Sequence, residues 1–525
     1  MHNIYNKIIV LCILLSFQIV KVSGQSYHIG GIGDEYMRIL QLQGKLDPNI
    51  SFTSKPNYAN NTISQDSVYS LIDPSYEPLK YISTKYFTFK PLMANVNMKY
   101  NSLQPYGWND EGMIQAKGLQ TLTRWGVYSK IGPLSFQYMP EYVNAENPPY
   151  DISGDYGSIP SSRYIKNFTG QSSIRLNIKS VSLGWSTENL WWGPGIENSI
   201  MMSNNAPGFP HYTFNTTKPI KTAIGFFEWQ LIVGRLNRDS SLGFEMFNNQ
   251  KYSPFNKPAI LNGINLTYQP IFFKNIFFGI NRTFQADESI TKNLSSSQFY
   301  NYFPVFSSFF KSSVKTDDGD VRDQRLNIFT RFLFPRSHSE FYFEYGWNDH
   351  SNNFRDFWID PEHSSIYLIG FTKLVPLHDN KWFEINTEIT QTSQSPDYLV
   401  RNAGDYYYYD NGGYSNENQI LGAGSGSGNN LQILKINYID GFDKIGIKAL
   451  RLQHQPTSLV NYGPFEAFGI RTIKWNDISI GLIGQKKFQN LILSSEIQFV
   501  NSSNYAWMPT SHFNLFCNLN ITYLW

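Results

Sequence analysis

The stretch Phe513-Asn514-Leu515-Phe516-Cys517-Asn518-Leu519-Asn520-Ile521-Thr522-Tyr523-Leu524-Trp525 closes the chain. Phe513, Leu515, Cys517, Leu519, Ile521, Tyr523 and Trp525 hold alternate positions, with Asn514, Asn518, Asn520 and Thr522 between them. A strand points successive side chains to opposite faces, so this segment predicts one apolar face and one mostly wet one. The same period recurs upstream. Leu326, Ile328, Thr330, Phe332 and Phe334 alternate with Arg325, Asn327, Phe329 and Arg331. Pro335 to Ser339 predicts a tight turn, after which Phe341, Phe343, Tyr345 and Trp347 alternate with Tyr342, Glu344 and Asn348. Phe227, Trp229, Leu231 and Val233 repeat the pattern, as do Leu491, Leu493, Ser495, Ile497 and Phe499. A hairpin around Ser129 to Pro133 joins Trp125 and Val127 to Leu134, Phe136 and Tyr138. Charged residues such as Arg331 and Glu344 are expected to face inward and pair across a wet lumen, because the opposite register strands them in lipid.

At the other end, Lys7, the apolar run Ile8 to Val20 and the small-residue site Val22-Ser23-Gly24 before Gln25 predict a cleaved secretory signal over residues 1–24. The run is too short and interrupted to span a bilayer as a helix. Its removal takes Cys12 and leaves Cys517 as the one cysteine, so no intramolecular disulfide is expected. Lys7 and Lys21 go with it, which brings the 43 basic and 41 acidic groups into balance. Nucleic acid is therefore not an expected partner. Mean hydropathy is −0.35, a value that suits a barrel whose lumen face and loops are polar. Aromatic residues make up 16% of the chain, which fits the interfacial girdles of such barrels. A terminal strand ending in an aromatic, after a cleavable signal, resembles the assembly signal of bacterial outer-membrane β-barrels. The compartment expected is the outer membrane of a Gram-negative bacterium, with the barrel-assembly machinery reading the strand that ends at Trp525.

Residues 25–84 read as a small helical element on the periplasmic side. Asp34 is placed to cap a short helix through Leu42, which Asp47-Pro48 ends, and a second helix fits Ser64 to Ile72. Residues 85–525 read as the barrel, starting with a strand near Tyr86. At roughly two dozen residues per strand and connection, this length gives about 16–20 strands. The two longest connections are expected near Gln285 to Asp323 and Thr392 to Asn430.

One segment is unusually rich: Trp185, then Glu188-Asn189-Leu190-Trp191-Trp192-Gly193-Pro194-Gly195, then Ser203-Asn204-Asn205-Ala206-Pro207-Gly208-Phe209-Pro210. It resembles the core motif of the Wzi-type capsule assembly family. Supporting matches are Pro105-Tyr106-Gly107-Trp108-Asn109-Asp110, Gly132-Pro133-Leu134 with Pro140-Glu141-Tyr142-Val143, and Gly413-Tyr414-Ser415 with Leu421-Gly422-Ala423-Gly424. The chain departs from the family pattern near 425–430, where it reads Ser-Gly-Ser-Gly-Asn-Asn. The resemblance implies an all-β transmembrane barrel of about 18 antiparallel strands with a small N-terminal periplasmic helical element. It also implies a lectin-like role in anchoring capsule. The function expected is that of a non-catalytic monomer in outer-membrane lipid that binds capsular or other surface polysaccharide without a cofactor.

Sugars present apolar C–H faces and many hydroxyls, so their recognition uses aromatic platforms beside carboxylates and amides. Trp108, Asn109 and Asp110 supply that mixture, as do Glu188, Trp191, Trp192, Asn204 and Asn205. A structural reading stands beside this one and outweighs it. In that reading Trp191 to Gly195 shape an inward loop that plugs the barrel, Asn204 and Asn205 satisfy buried backbone groups, and Trp108 to Asp110 form a plain turn. Asp317-Asp318-Gly319-Asp320 lacks the ligand spacing of a calcium loop and reads as a solvated tip. The glycines at 422, 424, 426 and 428 read as a flexible loop without a following Lys-Ser/Thr. The nine histidines show no zinc spacing, and no nucleophile elbow occurs. A porin or oligosaccharide channel is the first alternative function, and a barrel-borne hydrolase or acyltransferase the second.

Overall fold

A computed structural model describes residues 24–59, 63–78, 80–84, 86–150, 162–239, 245–246, 250–251, 257–288, 323–348, 365–393, 406–407, 413–454, 474–505 and 509–525. The expected signal (apart from Gly24), the acidic tip at 317–320 and most of the two long connections lie outside these residues. Eighteen antiparallel strands close into a barrel, counting two interrupted strands once each. They are β1 (Phe87–Asn101), β2 (Gly118–Ile131), β3 (Leu134–Tyr138 continued by Glu141–Ala145), β4 (Tyr164–Phe168 continued by Ser173–Ile178), β5 (Val181–Ser186) and β6 (His211–Thr216). The circuit continues with β7 (Gly225–Leu236), β8 (Ala259–Pro270), β9 (Ile276–Asp287), β10 (Asp323–Phe334), β11 (Ser339–Asn348) and β12 (Ser365–Pro376). It ends with β13 (Trp382–Gln391), β14 (Asn430–Asp440), β15 (Asp443–His454), β16 (Trp475–Phe488), β17 (Leu491–Ser503) and β18 (Ser511–Tyr523).

The alternation seen in the sequence becomes the wall's two faces. In β10, Arg325, Asn327, Phe329, Arg331 and Leu333 are buried, while Ile328 and Phe334 are exposed. Ile445 and Ile447, and Ile478, Ile480 and Leu482, are likewise exposed on β15 and β16, as a lipid-facing band requires. The C-terminal strand closes the circle, pairing from Phe516 with Asn101 to Tyr523 with Ala94. Phe516 breaks its polar face: it turns inward against Tyr106, with ring centroids 5.4 Å apart. Short turns cluster at one end and long connections at the other. In barrels of this kind those ends are periplasmic and extracellular respectively.

Two helices, α1 (Ile32–Leu42) and α2 (Gln65–Ile72), pack at the short-turn end. Their Tyr36, Met37, Val68, Tyr69 and Ile72 share a buried cluster with Trp382, Phe442 and Leu524 from the barrel's rim. The second helix lies where expected, and Ser64 caps it, accepting from the Ser67 N–H at 3.1 Å. Asp34 does not cap α1. Gly31 holds that position, and Asp34 sits in the first turn, where its carboxylate accepts from Gly30 N–H (3.2 Å), Lys55 (2.7 Å) and Asn57 (3.0 Å). There it both suits the helix dipole and ties the chain on either side of the helix.

The lumen is packed, which corrects the expectation of charges paired across water. Arg331 and Glu344 both face inward but do not meet. Arg331 pairs with Glu340 on the neighbouring strand (2.6 Å) and donates to Ser51 O and Gln41 Oε1, each at 2.8 Å. Glu344 instead accepts backbone N–H groups from a loop inside the barrel. Small residues make room for inward rings. A Cβ on Gly370 lies 2.1 Å from the Tyr342 ring opposite, and the Tyr342 hydroxyl donates to Glu388 at 2.9 Å. Gly370→Val is expected to push Tyr342 off Glu388 at a cost of about 1–3 kcal/mol. The check is the temperature at which the folded band converts to the unfolded one on a semi-native gel. An unchanged temperature contradicts the close fit.

Candidate functional site: the loop across the lumen

The connection between β5 and β6, residues 187–210, runs through the barrel interior and bonds to strands around the wall. Glu188, beside the end of β5, pairs with Arg175 of β4 (2.6 Å) and accepts from Ser26 and Ser186. Burial raises a carboxyl's pKa, but the Arg175 guanidinium and the hydrogen bonds from Ser26 and Ser186 together outweigh it and hold Glu188 below its ordinary value, so it stays ionised. Trp191 and Trp192 pair antiparallel with Lys55 and Ser54, which brings the N-terminal segment into the lumen. The Trp192 ring, fully buried, lies against Gly263 of β8, and its Nε1–H donates to Gln230 of β7 at 2.7 Å. Trp191 Nε1–H donates to Gly195 O at 3.1 Å.

Beyond the tryptophans the loop reaches the far wall. Glu344 of β11 accepts from Gly195 N–H (3.0 Å) and Ile200 N–H (3.2 Å). Glu388 of β13 accepts from the N–H groups of Ile196, Glu197 and Asn198 at 2.8–3.1 Å. Glu197 pairs with Lys435 of β14 and lies 3.8 Å from Lys448 of β15. These ammonium groups overcome burial and keep Glu197 ionised. The loop thus presents backbone donors to wall carboxylates and a carboxylate to wall lysines. A buried loop needs such partners for its backbone polar groups.

The remaining motif residues meet at one point. Asn205 Oδ1 accepts from Asn109 N–H (3.3 Å), and its Nδ2 donates to Ile420 O (3.0 Å). Asn204 Nδ2 donates to Glu111 Oε1 (3.0 Å), and Asn204 O accepts from Glu111 N–H (2.8 Å). Asn109 takes a left-handed backbone (φ 59°) that asparagine tolerates, and its Nδ2 donates to Glu197 O at 2.6 Å. Asp110 pairs with the buried Lys99 of β1. Trp108 packs edge-on to Tyr106. Trp108, Asn109, Asp110 and Asn205 keep part of their surface exposed, whereas Glu188, Trp191, Trp192 and Asn204 are buried. The glycine loop at 422–428 is not a flexible surface segment: it is largely buried against this cluster. A Cβ on Gly422 falls 2.3 Å from Ile200 O, and one on Gly424 falls 2.7 Å from Asn205 and Trp108 atoms.

His28, Glu111 and Glu141 converge with spacing suited to a cation. The Arg124 guanidinium already serves these groups, contacting His28 and Glu111 and lying 3.6 Å from Glu141. Burial, reinforced by Arg124, holds the His28 imidazole below its ordinary value. Burial pushes the Glu111 carboxyl up, but Arg124, His28 and the Asn204 hydrogen bond together outweigh it and hold Glu111 well below the carboxylate range. The charge a metal ion brings is supplied by arginine.

Sequence reasoning picked out the loop's tryptophans and asparagines but missed Arg175, Glu197, Glu388, Lys435 and Lys448. Their partners lie far off in the chain, and no short motif joins them.

Strand number, closed register and an interior filled by its own chain define a transmembrane β-barrel of the bacterial outer membrane with an occluded lumen. A family model described as capsule assembly protein Wzi matches residues 96–447. The chain belongs to that family. Among solved structures, Wzi of Escherichia coli, an outer membrane protein involved in group 1 capsule assembly and a carbohydrate-binding β-barrel, shares 13% identity. The match covers 96% of this chain and 99% of that one, with a TM-score of 0.60, and shows a common fold. OprB of Pseudomonas putida (11% identity, 83% and 94% covered, TM-score 0.39) and OpdQ of Pseudomonas aeruginosa (10%, 83% and 98%, 0.41) also match. No curated protein matches the sequence significantly.

Proposed function

We propose that this barrel binds surface polysaccharide and assists capsule assembly or attachment as a non-catalytic, lectin-like protein. The observation that carries the reading is the loop spanning the lumen from Arg175 to Lys448. A barrel crossed in this way favours holding a polymer over passing one, which weighs against the porin reading. Family membership points the same way. Contact with the glycan falls to Trp108, Asn109, Asp110 and Asn205, which keep exposed surface. Glu188, Trp191, Trp192 and Asn204 act at a remove, by fixing the loop that presents them. The protein works as a monomer in outer-membrane lipid, after removal of residues 1–24. The strand ending at Trp525 is its signal to the barrel-assembly machinery.

Deleting the gene in its host and measuring cell-bound against released polysaccharide tests the reading. Polymer synthesis is expected to continue while the polymer shifts into the medium; an unchanged partition sinks the proposal. Trp108→Ala is expected to weaken retention by roughly 2–10-fold, the worth of one aromatic contact. Trp108→Phe is expected to restore part of it, with insertion of the barrel unaffected in both variants.

A further inference from the structure

A second group of residues at the extracellular mouth has a different character from the loop cluster. Where β18 returns to β1, a cavity of about 140 Å3 is lined by Gln104, Lys117, Tyr150, Tyr505 and His512, together with Leu103 and Pro149. Among the described residues that line it are an ammonium and an imidazole, and none of them carries a carboxylate. Its aromatic side is stiff. His512 stacks on Tyr505 (centroids 4.7 Å, 28°), Tyr505 meets Trp475 edge-on (5.0 Å), and Trp475 stacks on His454 (3.7 Å). Asp477 fixes the far end of this row, accepting from Trp475 Nε1–H at 2.7 Å and lying 2.9 Å from His454 Nε2. Gln104 is 1% exposed, and its Nε2 donates to Ser502 at 2.7 Å. Its buried Oε1 has no hydrogen-bond partner among the described residues. A buried acceptor without a partner is costly, and Gln104 belongs to the cavity's wall, where a small turn of its side chain offers that oxygen to a donor.

We propose that this cavity is a subsite for a carboxylate-bearing pyranose, a uronic acid residue of the surface polysaccharide. The inference rests on the polysaccharide-binding reading above and adds the class of sugar. The Lys117 ammonium meets the carboxylate, Gln104 Oε1 accepts from a ring hydroxyl, and the apolar C–H face of the sugar lies against His512 and Tyr150. The row from His454 to Tyr505 holds His512 in place before the ligand arrives, which lowers the cost of ordering on binding.

The test compares binding of the detergent-solubilised protein to the host's purified surface polysaccharide and to the same polymer with its carboxyl groups chemically reduced to alcohols. The wild-type protein is expected to prefer the native polymer by about tenfold or more, the worth of a charge-assisted contact. Lys117→Met is expected to abolish that preference without moving the thermal transition of the barrel, and His512→Ala to weaken both polymers alike. Equal binding of native and reduced polymer by the wild type, or an undiminished preference in Lys117→Met, overturns the subsite and leaves the polysaccharide reading standing. Binding to neither polymer removes that reading and the subsite with it.

Discussion

Replacing Glu340 with alanine is expected to release the helical element from the barrel's periplasmic end. Glu340 has no exposed surface and stands between two cations, Arg331 at 2.6 Å and Arg38 of α1 at 2.8 Å. Arg331 also reaches Ser51 and Gln41 of the N-terminal segment. Removing the carboxylate leaves two guanidinium groups facing each other in a packed interior. Loss of one partner from a buried ion pair costs about 3–5 kcal/mol, because the charge that remains is uncompensated. Gln is expected to be nearly as harmful, since it keeps the volume but not the charge. The measurement is limited proteolysis of the inserted protein, scored for cleavage between Gln25 and Thr84. The wild-type segment is expected to resist and the variant to be cut while the barrel band persists. A protected segment in Glu340→Ala shows that the apolar contacts around Phe442 and Trp382 suffice alone.

Trp192→Ala is the second substitution with a large expected effect. The ring is fully buried, fills the space that Gly263 leaves open on β8, and bonds Gln230 through its indole N–H. Truncation of a buried aromatic to alanine typically costs about 3–5 kcal/mol through lost contacts and the cavity left behind. Part of that loss is expected to appear as loosening of the lumen loop, because the same residue pairs with Ser54 and accepts from Asn281 through its carbonyl at 3.1 Å. Two readouts separate the consequences. The heat-conversion temperature of the barrel is expected to fall, and single-channel conductance to rise from the wild-type level as the plug frees space. If conductance and temperature both hold, the indole is a passenger in the loop. If capsule retention drops while both hold, the tryptophan touches the glycan itself.

The barrel was legible because its code is local. Alternation in the segments around Leu326 to Trp347 and Phe513 to Trp525 assigns each residue to lipid or lumen without knowledge of its neighbours. The helix from Ser64 to Ile72 is legible for the same reason, although its cap, Ser64 on Ser67, is seen only in the structure. Asp34 was misplaced because its partners Lys55 and Asn57 lie across a turn the helix signal does not include. The lumen was harder. Arg331 and Glu344 read as inward-facing and are so, but Glu344 meets Gly195 and Ile200 of a loop, and Arg331 meets Gln41 of α1 beside Glu340 of the next strand, partners that strand alternation does not name. The glycines at 422–428 carried the signature of flexibility, whereas the structure uses the missing Cβ for close backbone approach. The pocket around Lys117 and His512 draws on three separate connections and the start of β18, and no motif announces it.

The loop from Thr187 to Pro210 makes its contacts like the spokes of a wheel, to Arg175, Gln230, Asn281, Glu344, Glu388, Lys435 and Lys448 on seven different strands. A long polymer tethered at the mouth transmits drag from the surrounding flow to whatever holds it. Tension applied to such a hub is shared around the hoop. It pulls radially on many staves at once, where a surface loop on a single hairpin passes the whole force to one seam and peels it from the bilayer.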